Sequence, residues 1–428
     1  MSRLVDLRQK HQQFIYRGFN WKADGDNLSI NFDFLLSPNV VFQPQLLIKA
    51  AGVPAKKLPS GDLDNLVFHL GLIELISYWK AACSPEVIIE AGKLNSEQIN
   101  WWQNLLKKGL GEFFFQNKVD FRFADFVVIT SKGKRSFDPF SLNLTTDKSL
   151  VMVGGGKDSV VAIEVLKQLG QSPAAMVVNP TQAADDVIKT ANLDQKIIIL
   201  RSIDPRLIEL NQAGYLNGHT PFSANLGFLS LLVGSVFGFS QLIAANERSA
   251  EEANVTYLNQ PVNHQYSKTW EFEQLFRDYV KKYISPSLNY FSLVRPLWEI
   301  QISKIFSKTP QYFSVFKSCN RGQKDNVWCG NCPKCLSVYL LLAPFLKEKT
   351  KEIFGQNLLE RKDLMPMLDQ LIGKGEFKPF ECVGTKEEII ASLDLLKSGK
   401  SQKILSDWGE DKFLSQPQKN LLKKLAYA

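Results

Sequence analysis

Two different periods of apolar residues divide the first third of the chain into predicted strands and helices. Runs with a two-residue period, FIYRGF at 14–19 and LSINFDFLL at 28–36, predict β-strands. Apolar positions at helical spacing in LDNLVFHLGLIELISYWKAA (63–82) and NSEQINWWQNLLKKGLGEFFF (95–115) predict two α-helices, the second capped by Asn95. We therefore expect residues 1–146 to form an α+β domain.

From residue 147 the pattern changes to strands that alternate with helices. The strand SLVMV at 149–153 leads through a glycine-rich loop to the helix VVAIEVLKQLG at 160–170. Further apolar strands follow: AAMVVN at 174–179, KIIIL at 196–200 and QLIAAN at 241–246. This alternation predicts an α/β fold with a doubly wound parallel sheet over residues 147–345, followed by a helical region over 346–428.

A long uncharged segment raises the question of a membrane span. Residues 210–246 contain no Asp, Glu, Lys or Arg, and residues 226–245 are mostly apolar. The uninterrupted apolar part, 228–239, is shorter than the roughly 20 residues that a span requires. We expect a buried helix followed by the strand QLIAAN, and no membrane partner. The opening run MSRLVDLRQKHQQF carries charges throughout, unlike a signal peptide, so we expect a cytoplasmic protein.

Composition and charge narrow the function classes. The 428 residues, 45% hydrophobic and 22% charged, fit a globular enzyme of two or three units. The net charge of +8 favours an anionic partner, but the basic residues are dispersed in pairs such as Lys107-Lys108. A phosphorylated small molecule therefore suits this charge, and a nucleic-acid partner is not expected. The sequence specifies no oligomeric state.

The loop after the first α/β strand combines residue types that bind phosphate. Its glycines, lysine, acid and hydroxyl are Gly154, Gly155, Gly156, Lys157, Asp158 and Ser159. Glycines let main-chain N–H groups turn toward phosphate oxygens at a helix N-terminus, lysine adds positive charge, and Asp158 can bind Mg²⁺. A tight structural turn would not need these three side chains together, and the spacing is not that of a Walker A loop.

This loop resembles the PP-loop of N-type ATP pyrophosphatases, whose pattern is S-G-G-x-D-S. Gly155, Gly156, Asp158 and Ser159 match the pattern, whereas Gly154 replaces its first serine. The resemblance implies an α/β domain of PP-loop type that binds ATP and Mg²⁺ and cleaves ATP between its α and β phosphates. Pyrophosphate would leave into the loop, and an adenylate of the substrate would form.

Four of the six cysteines lie within 17 residues. Cys319, Cys329, Cys332 and Cys335 have the spacing C-x₉-C-x₂-C-x₂-C. In a chain expected to stay in the cytosol, this pattern predicts a metal site, and four thiolates suit a structural tetrahedral zinc. An iron–sulfur cluster also uses thiolate ligands and stays open as an alternative.

Two further resemblances concern larger parts of the chain. A PP-loop followed by such a cysteine cluster is similar to the cyano-deazaguanine synthases. Segments spread over nearly the whole chain resemble the UDP-N-acetylmuramoyl-L-alanyl-L-glutamate epimerase family of bacterial wall synthesis. They are HLGLIELISYWKAACSPEVIIE (69–90), GYLNGHTPFSAN (214–225), NERSAEEAN (246–254), PVNHQYSKTWEFE (261–273), LVRPLWE (293–299) and KPFECVGTKEE (378–388).

The epimerase resemblance implies that ATP activates the α-carboxylate of the terminal glutamate of a nucleotide-sugar dipeptide. An acyl adenylate removes the carboxylate charge that opposes loss of the α-hydrogen, and proton return then gives D-glutamate. For proton transfer we single out His219, His264 and Lys268, although each histidine could equally be bonded to backbone in a loop. Cys83 and Cys382 offer a different route, since two thiols on opposite faces of Cα can invert a centre, but Cys83 closes a helix beside Trp79 and buried structural cysteine is favoured. A loop containing Glu247, Glu251 and Glu252 could supply a second Mg²⁺ ligand or be solvated.

Two other functions compete with this interpretation. Another zinc-containing PP-loop enzyme could activate a carboxylate or base for attack by ammonia or sulfur, but no massed basic face supports an RNA substrate. Alternatively, the cysteine cluster could be a binding module on a non-catalytic scaffold. The intact run from Gly155 to Ser159 argues against the second alternative.

Overall fold

The computed structural model describes residues 3–50, 53–144, 148–400 and 402–428. The elements of the N-terminal region are α1 Arg3–Lys10, β1 Gln13–Asp24, β2 Asn27–Leu36, β3 Val40–Phe42, β4 Gln45–Ala50, α2 Ser60–Trp79, β5 Glu86–Ile89, α3 Ser96–Gly109, α4 Gly111–Gln116 and β6 Val128–Ser131. The predicted strands at 14–19 and 28–36 are confirmed as parts of β1 and β2.

The α/β region contains β7 Ser149–Met152, α5 Lys157–Gln168, β8 Ala174–Val178, α6 Gln182–Thr190, β9 Lys196–Ser202, α7 Pro205–Gln212, α8 Phe222–Phe237, β10 Gln241–Ala244, β11 Val255–Tyr257, β12 Gln260–Val262, α9 Trp270–Tyr283, β13 Asn289–Ser292, α10 Glu299–Phe306 and α11 Pro333–Leu346. The C-terminal region adds α12 Glu348–Phe354, α13 Met365–Leu371, α14 Lys386–Ser398 and α15 Gln416–Tyr427. The predicted helical character of this last region is confirmed.

A single mixed sheet forms the centre of the molecule. Its strand order is β13-β10-β7-β8-β9-β4-β2-β1-β5-β6, with β3 paired to β2. The five strands from β13 to β9 are parallel to one another, and the first of them in the chain, β7, lies in the middle. The chain therefore winds first to one side of β7 and then to the other, which confirms the predicted doubly wound parallel arrangement.

Both faces of the parallel strands are covered, because alternate residues enter two different cores. Leu150, Met176 and Leu242 pack into the core that includes α2, α8 and α9. Their neighbours Val151 and Val177, with others, pack into the core that includes α5, α10 and α11. This two-residue alternation is the geometry of a strand buried on both sides.

Antiparallel pairing joins the N-terminal strands to the parallel strands. Residues 45–50 of β4 pair with residues 197–202 of β9. A bidentate ion pair from Arg201 in β9 to Glu74 in α2, with N–O distances of 2.9 and 2.8 Å, strengthens the same junction. The sheet is thus continuous between the two regions, and the predicted boundary at 146/147 lies outside the described residues.

The predicted helices are present with small changes of length. The side chain of Asn95 accepts a hydrogen bond from the N–H of Gln98 and so caps α3 as predicted, but the helix breaks at Leu110 before α4. The uncharged segment forms α8, most of which is buried, followed by β10, also as predicted. Within the described parts of the chain, no helix has both the length and the apolar character needed to cross a bilayer.

Candidate functional site

A cleft opens where the direction of winding changes. The adjacent strands β7 and β10 end side by side, and the residues after them, Gly154 and Ala245-Asn246, line a cleft of about 280 Å³. Ligands of open α/β sheets bind at such points, because two loops diverge there and leave a crevice. The predicted phosphate-binding loop thus lies in the position that the sheet topology favours for a ligand.

The backbone of this loop is held tightly by its neighbours. Gly155 has φ of +86°, and a Cβ atom there would lie 2.7 Å from the main-chain nitrogen of Ala184. Its carbonyl accepts a hydrogen bond of 2.9 Å from the N–H of Lys317. Gly156 is the N-cap of α5, so the first amides of that helix have no partner within the helix. Only glycine fits the position of Gly155.

Lys157 is directed into the protein rather than along the cleft wall. Its Nζ lies 2.6 Å from Oδ1 of Asp158 and 3.0 Å from Oε1 of Glu299. Burial lowers the pKa of Lys157, but these two carboxylates raise it more, so the ammonium stays charged. Two carboxylates therefore compensate the charge of Lys157 before any phosphate binds. Asp158 and Ser159 line the cleft itself.

Glu299 at the start of α10 is a shared partner of two lysines. Its Oε1 also lies 3.4 Å from Nζ of Lys334 in α11. Burial raises the pKa of Glu299, but Lys157 and Lys334 together hold it below its usual range. Lys334 also donates a hydrogen bond to the carbonyl of Cys382, so this buried group connects the phosphate loop with the loop before α14.

A second group of titratable side chains adjoins the cleft. Lys268 and Cys382 line it, and Nζ of Lys268 lies 3.4 Å from Sγ of Cys382. The thiol of Cys382 also interacts electrostatically with His264, whose Nδ1 bonds to Oε2 of Glu112 in α4. Residues from three regions of the chain thus form the connected series Glu112, His264, Cys382 and Lys268.

The electrostatics of this series favour a protonated imidazole beside an ionised thiol. Burial alone would lower the pKa of His264, but its hydrogen bonds to Cys382 and Glu112 raise it to about 9. Burial likewise would raise the pKa of Cys382, but Lys268, His264 and Lys334 lower it to about 7. Near neutral pH a substantial fraction of Cys382 is therefore thiolate.

His219 lies against His264, with ring centroids 4.3 Å apart, and its Nδ1 is 3.5 Å from Oε2 of Glu112. Burial, then the charges of His264 and Lys80, lower the pKa of His219 to about 3. The two predicted histidines thus lie together but differ in charge: His264 is protonated and His219 is neutral at pH 7. The structure brings them together with the third predicted residue, Lys268.

The four clustered cysteines converge as predicted. Their Sγ atoms all lie within 4.8 Å of one another, with 3.9 Å between Cys319 and Cys332 and 3.7 Å between Cys329 and Cys335. Zinc–sulfur bonds of about 2.3 Å in a tetrahedron place sulfurs roughly 3.8 Å apart, so these spacings fit one metal ion. The donors in this cluster could therefore hold a metal.

The remaining acidic and thiol candidates have separate positions. Cys83 is fully buried at the end of α2, where its Sγ donates to the carbonyl of Lys80, and it is not part of the series around Cys382. Glu247 is also buried, with Oε1 at 3.9 Å from Nζ of Lys268. Glu251 accepts from the N–H of Trp270, and Glu252 pairs with Lys378.

Three residues of the site were not selected from the sequence: Glu112, Glu299 and Lys334. Glu112 precedes three phenylalanines in a segment that predicts core, and Lys334 is placed between two metal-ligand candidates. For Glu299 and Lys334, the available signal was a charged residue at the beginning of an otherwise apolar helix. Cys382 was considered from the sequence only as one of a facing thiol pair with Cys83, because its neighbour Lys268 is distant in sequence.

Comparison with known proteins gives a consistent result. The profile of the MurL N-terminal domain matches residues 6–293, and that of the MurL C-terminal domain matches residues 315–425. No solved structure gave a significant match to the chain.

Three relatives carry the name UDP-N-acetyl-alpha-D-muramoyl-L-alanyl-L-glutamate epimerase. One from Xanthomonas oryzae pv. oryzae is 35% identical over 377 residues, which is 85% of this chain and 81% of the relative. One from Salinispora tropica is 34% identical, covering 78% of this chain and 73% of the relative. A third, from a Micromonospora species, is 33% identical, covering 80% and 77%. From these matches over both regions, together with the resemblance of its site segments, the chain belongs to the MurL family of epimerases.

Proposed function

We propose that this chain is an ATP-dependent epimerase that converts the terminal L-glutamate of UDP-N-acetylmuramoyl-L-alanyl-L-glutamate to D-glutamate. The observation that carries the proposal is that the glycine loop after β7 and the side chains of Lys268 and Cys382 open on one cleft. ATP and the glutamyl end of the substrate can therefore meet there. AMP and pyrophosphate would be the products of ATP, and the D-glutamyl product would enter peptidoglycan synthesis in the cytoplasm.

In this proposal the loop Gly154–Ser159 binds the departing pyrophosphate as a PP-loop does. The amides at the N-terminus of α5 supply hydrogen-bond donors and partial positive charge. Lys268, Lys317 and Lys334 line the same cleft and add positive charge. Lys157 contributes less directly, because two carboxylates already pair with it. These groups would stabilise charge that develops on the β-phosphate as its bond to the α-phosphate breaks.

Asp158 is the proposed Mg²⁺ ligand. Its side chain is 25% exposed and lines the cleft, so one carboxylate oxygen can face a ligand while Lys157 contacts the other oxygen, Oδ1. Hard oxygen donors of this kind suit Mg²⁺, which usually keeps several waters and bridges phosphate oxygens. When bound, Mg²⁺ would neutralise charge on the ATP phosphates.

Adenylation has a chemical purpose in this reaction. The α-hydrogen of glutamate lies beside a carboxylate, whose negative charge opposes formation of a carbanion. Attack of that carboxylate on the α-phosphate of ATP releases pyrophosphate and gives an acyl adenylate, in which the charge is absent. Loss of the α-proton then becomes feasible, and hydrolysis of the adenylate after proton return makes the inversion irreversible. His219, His264 and Lys268 are the residues proposed to support this proton transfer.

The cysteine cluster is proposed to hold a structural zinc ion that supports the phosphate loop. Cys319 belongs to the segment 317–323, which contacts Gly155 through Lys317 and lines the cleft. Cys332 is the N-cap of α11, and the next residues of that helix include Lys334. One ion bound by four thiolates would therefore fix two walls of the cleft relative to each other, with no open position for a substrate.

A product assay tests the proposal. With UDP-N-acetylmuramoyl-L-alanyl-L-glutamate and Mg-ATP, we expect AMP, pyrophosphate and the D-glutamyl product in equal amounts, and no inversion without ATP. UDP-N-acetylmuramoyl-L-alanine, which lacks the glutamate, is the control substrate and should give no AMP above background. A product carrying new nitrogen or sulfur would instead support another PP-loop synthase. No ATP turnover with the full substrate would reject the proposal.

A further inference from the structure

Cys382 occupies the junction between the cleft and a buried charged pair. On one side its Sγ faces the cleft and lies 3.4 Å from Nζ of Lys268. On the other side it interacts electrostatically with His264, whose Nδ1 bonds to Glu112. Carboxylate, imidazole and thiol thus follow one another in the order found where a side chain is activated for proton transfer.

We propose that Cys382 is the catalytic residue that exchanges the α-proton of the substrate's terminal glutamyl residue, with His264 and Glu112 as positioning residues. This inference rests on the proposed function, since it assigns a group to the step that follows adenylation. It differs from a direct role of either histidine, because the thiol is the group of this series that shares the cleft with Lys268.

Position distinguishes Cys382 from the other groups of the series. Cys382 is half-buried and lines the cleft together with Asp158 and Ser159 of the phosphate loop. Glu112 is buried, bonds to His264 and lies 3.5 Å from Nδ1 of His219. A glutamyl group whose activated carboxylate faces the phosphate loop would therefore bring its Cα toward the Cys382 thiol rather than toward Glu112.

The surrounding charges support a thiolate at this position. Lys268 approaches from a short 3₁₀ helix, Tyr266–Lys268, and Lys334 approaches from α11. His264 adds a third cation. Acids oppose each of these cations: Glu247 and Asp158 face Lys268, Glu299 pairs with Lys334, and Glu112 bonds to His264. The pKa of Cys382 near 7 matches the ideal for a group that both takes and returns a proton at neutral pH.

The proposed step balances as follows. The thiolate of Cys382 takes the α-proton, an S–H bond forms, and the electron pair of the Cα–H bond becomes the C=C bond of an enolate of the acyl adenylate. The enolate oxygen carries the negative charge, for which Lys268 is a nearby cation. A water molecule protonates Cα on the opposite face, and the hydroxide that remains is neutralised by the proton that the Cys382 thiol releases to solvent. Thiolate and water are regenerated, so no oxidant or reductant is needed.

The other thiol does not fit this role. Cys83 is fully buried at the end of α2, and burial raises its pKa, so it stays protonated. His219 is kept neutral and contacts the ring of His264, which suits support of the series rather than contact with substrate. A single thiol therefore accounts for proton exchange, and a pair of facing cysteines is not required.

Two separable reactions test the proposal in the full chain. With UDP-N-acetylmuramoyl-L-alanyl-L-glutamate, Mg-ATP and labelled pyrophosphate, exchange of label into ATP reports adenylation alone. Deuterium at Cα of the product formed in D₂O reports proton transfer. We expect Cys382→Ser to keep pyrophosphate exchange within a few-fold and to lose deuterium incorporation by about 10²- to 10⁴-fold. Cys83→Ala is the matched control and should resemble the native protein in both reactions.

The outcomes separate this inference from the proposed function. A native protein without substrate-dependent pyrophosphate exchange would reject adenylation, and with it the proposed function. Native-rate deuterium incorporation in Cys382→Ser would overturn the role of Cys382 while leaving adenylation in place. Equal loss of both reactions in a folded Cys382→Ser protein would place the thiol in adenylation and also overturn the inference.

A second measurement needs no variant at Cys382. Iodoacetamide at pH 7, followed by peptide mass analysis, should modify Cys382 faster than Cys83 in the native protein, and the substrate with Mg-ATP should protect it. Lys268→Met and His264→Asn should slow this modification by about tenfold or more, because each removes a cation that stabilises the thiolate. Modification of Cys382 at an unchanged rate in both variants would contradict the proposed activation.

Discussion

Nζ of Lys157 lies 3.0 Å from Oε1 of Glu299, and both side chains are almost completely buried. Since Glu299 also contacts Lys334, its single negative charge opposes two buried positive charges. This relationship connects the start of α5 with α10 and α11, and it fixes the base of the phosphate loop. Its contribution can be measured apart from activity.

We expect Glu299→Gln to destabilise the protein by about 3 kcal/mol, because it leaves Lys334 without its carboxylate and leaves Lys157 with Asp158 alone. Chemical denaturation in urea measures this change. Glu97→Gln is the control, since the pair of Glu97 with Lys282 is exposed and should contribute nothing measurable. Equal midpoints for native and Glu299→Gln proteins would show that the buried pair does not stabilise the fold.

Two neighbouring glycines of the phosphate loop should differ in their tolerance of a side chain. Gly155→Ala places a Cβ 2.7 Å from a backbone nitrogen at a φ of +86°, and we expect a loss of at least about 1–2 kcal/mol in stability. Gly154→Ser meets no atom within 4 Å and restores the serine of the PP-loop pattern. It should therefore keep its melting temperature and its rate of AMP formation. Equal tolerance at both positions would contradict the loop geometry.

Asp158→Asn should lower the rate of AMP formation by at least about 10²-fold, because it removes the charge of the proposed Mg²⁺ ligand with little change of shape. Asp194→Asn, at an exposed position between α6 and β9, is the control and should keep the native rate. Circular dichroism should show the same fold for both. An Asp158→Asn protein with undiminished AMP formation would remove this residue from ATP chemistry.

Replacing Cys332 by Ser should release the bound metal and lower the melting temperature, since metal binding energy at a structural site is also folding energy. Elemental analysis of the purified native protein should find about one zinc per chain, and Cys83→Ala should retain it. Because the segment 317–323 contacts the phosphate loop, metal loss should also slow AMP formation. Iron with acid-labile sulfide in the native protein would identify the alternative cluster instead.

His219 should make the protein sensitive to acid. Its pKa is lowered to about 3 in the folded protein and is near 6.5 when unfolded, so between these values the unfolded chain binds a proton that the folded chain does not. The contribution of neutral His219 to the free energy of unfolding is therefore fully present above about pH 6.5. It falls on acidification, by at most about 1.4 kcal/mol per pH unit. His219→Asn should lose less stability than the native protein between pH 6.5 and 4 in urea titrations. Parallel curves would reject the low pKa.

Local patterns predicted much of the architecture. Strands such as β7 and β8 carry short apolar runs whose alternate residues enter two cores, and the cap of α3 was predicted from Asn95 followed by Ser96 and Glu97. The cysteine cluster was also local, because its ligands span few residues. Each of these features involves residues that lie close together in the sequence, which is the range over which local sequence patterns carry information.

Contacts between distant segments could not be predicted in this way. The pairing of β4 with β9 joins strands that both look like ordinary apolar runs, and nothing in either specifies its partner. Cys382 similarly appears as an isolated thiol until His264 and Lys268, more than 100 residues earlier, are placed beside it. The pKa of Cys382 depends on charged residues that only the tertiary structure places beside it.

The junction between β4 and β9 also has a consequence for synthesis of the chain on the ribosome. The ribosome makes residue 50 about 150 residues before its pairing partner, residue 197. At about 5–20 residues per second this delay lasts roughly 10–30 s, during which one edge of β4 exposes unpaired peptide groups. The nascent N-terminal strands are therefore open to pairing with a second chain, and a chaperone that covers this edge would raise the yield of folded enzyme.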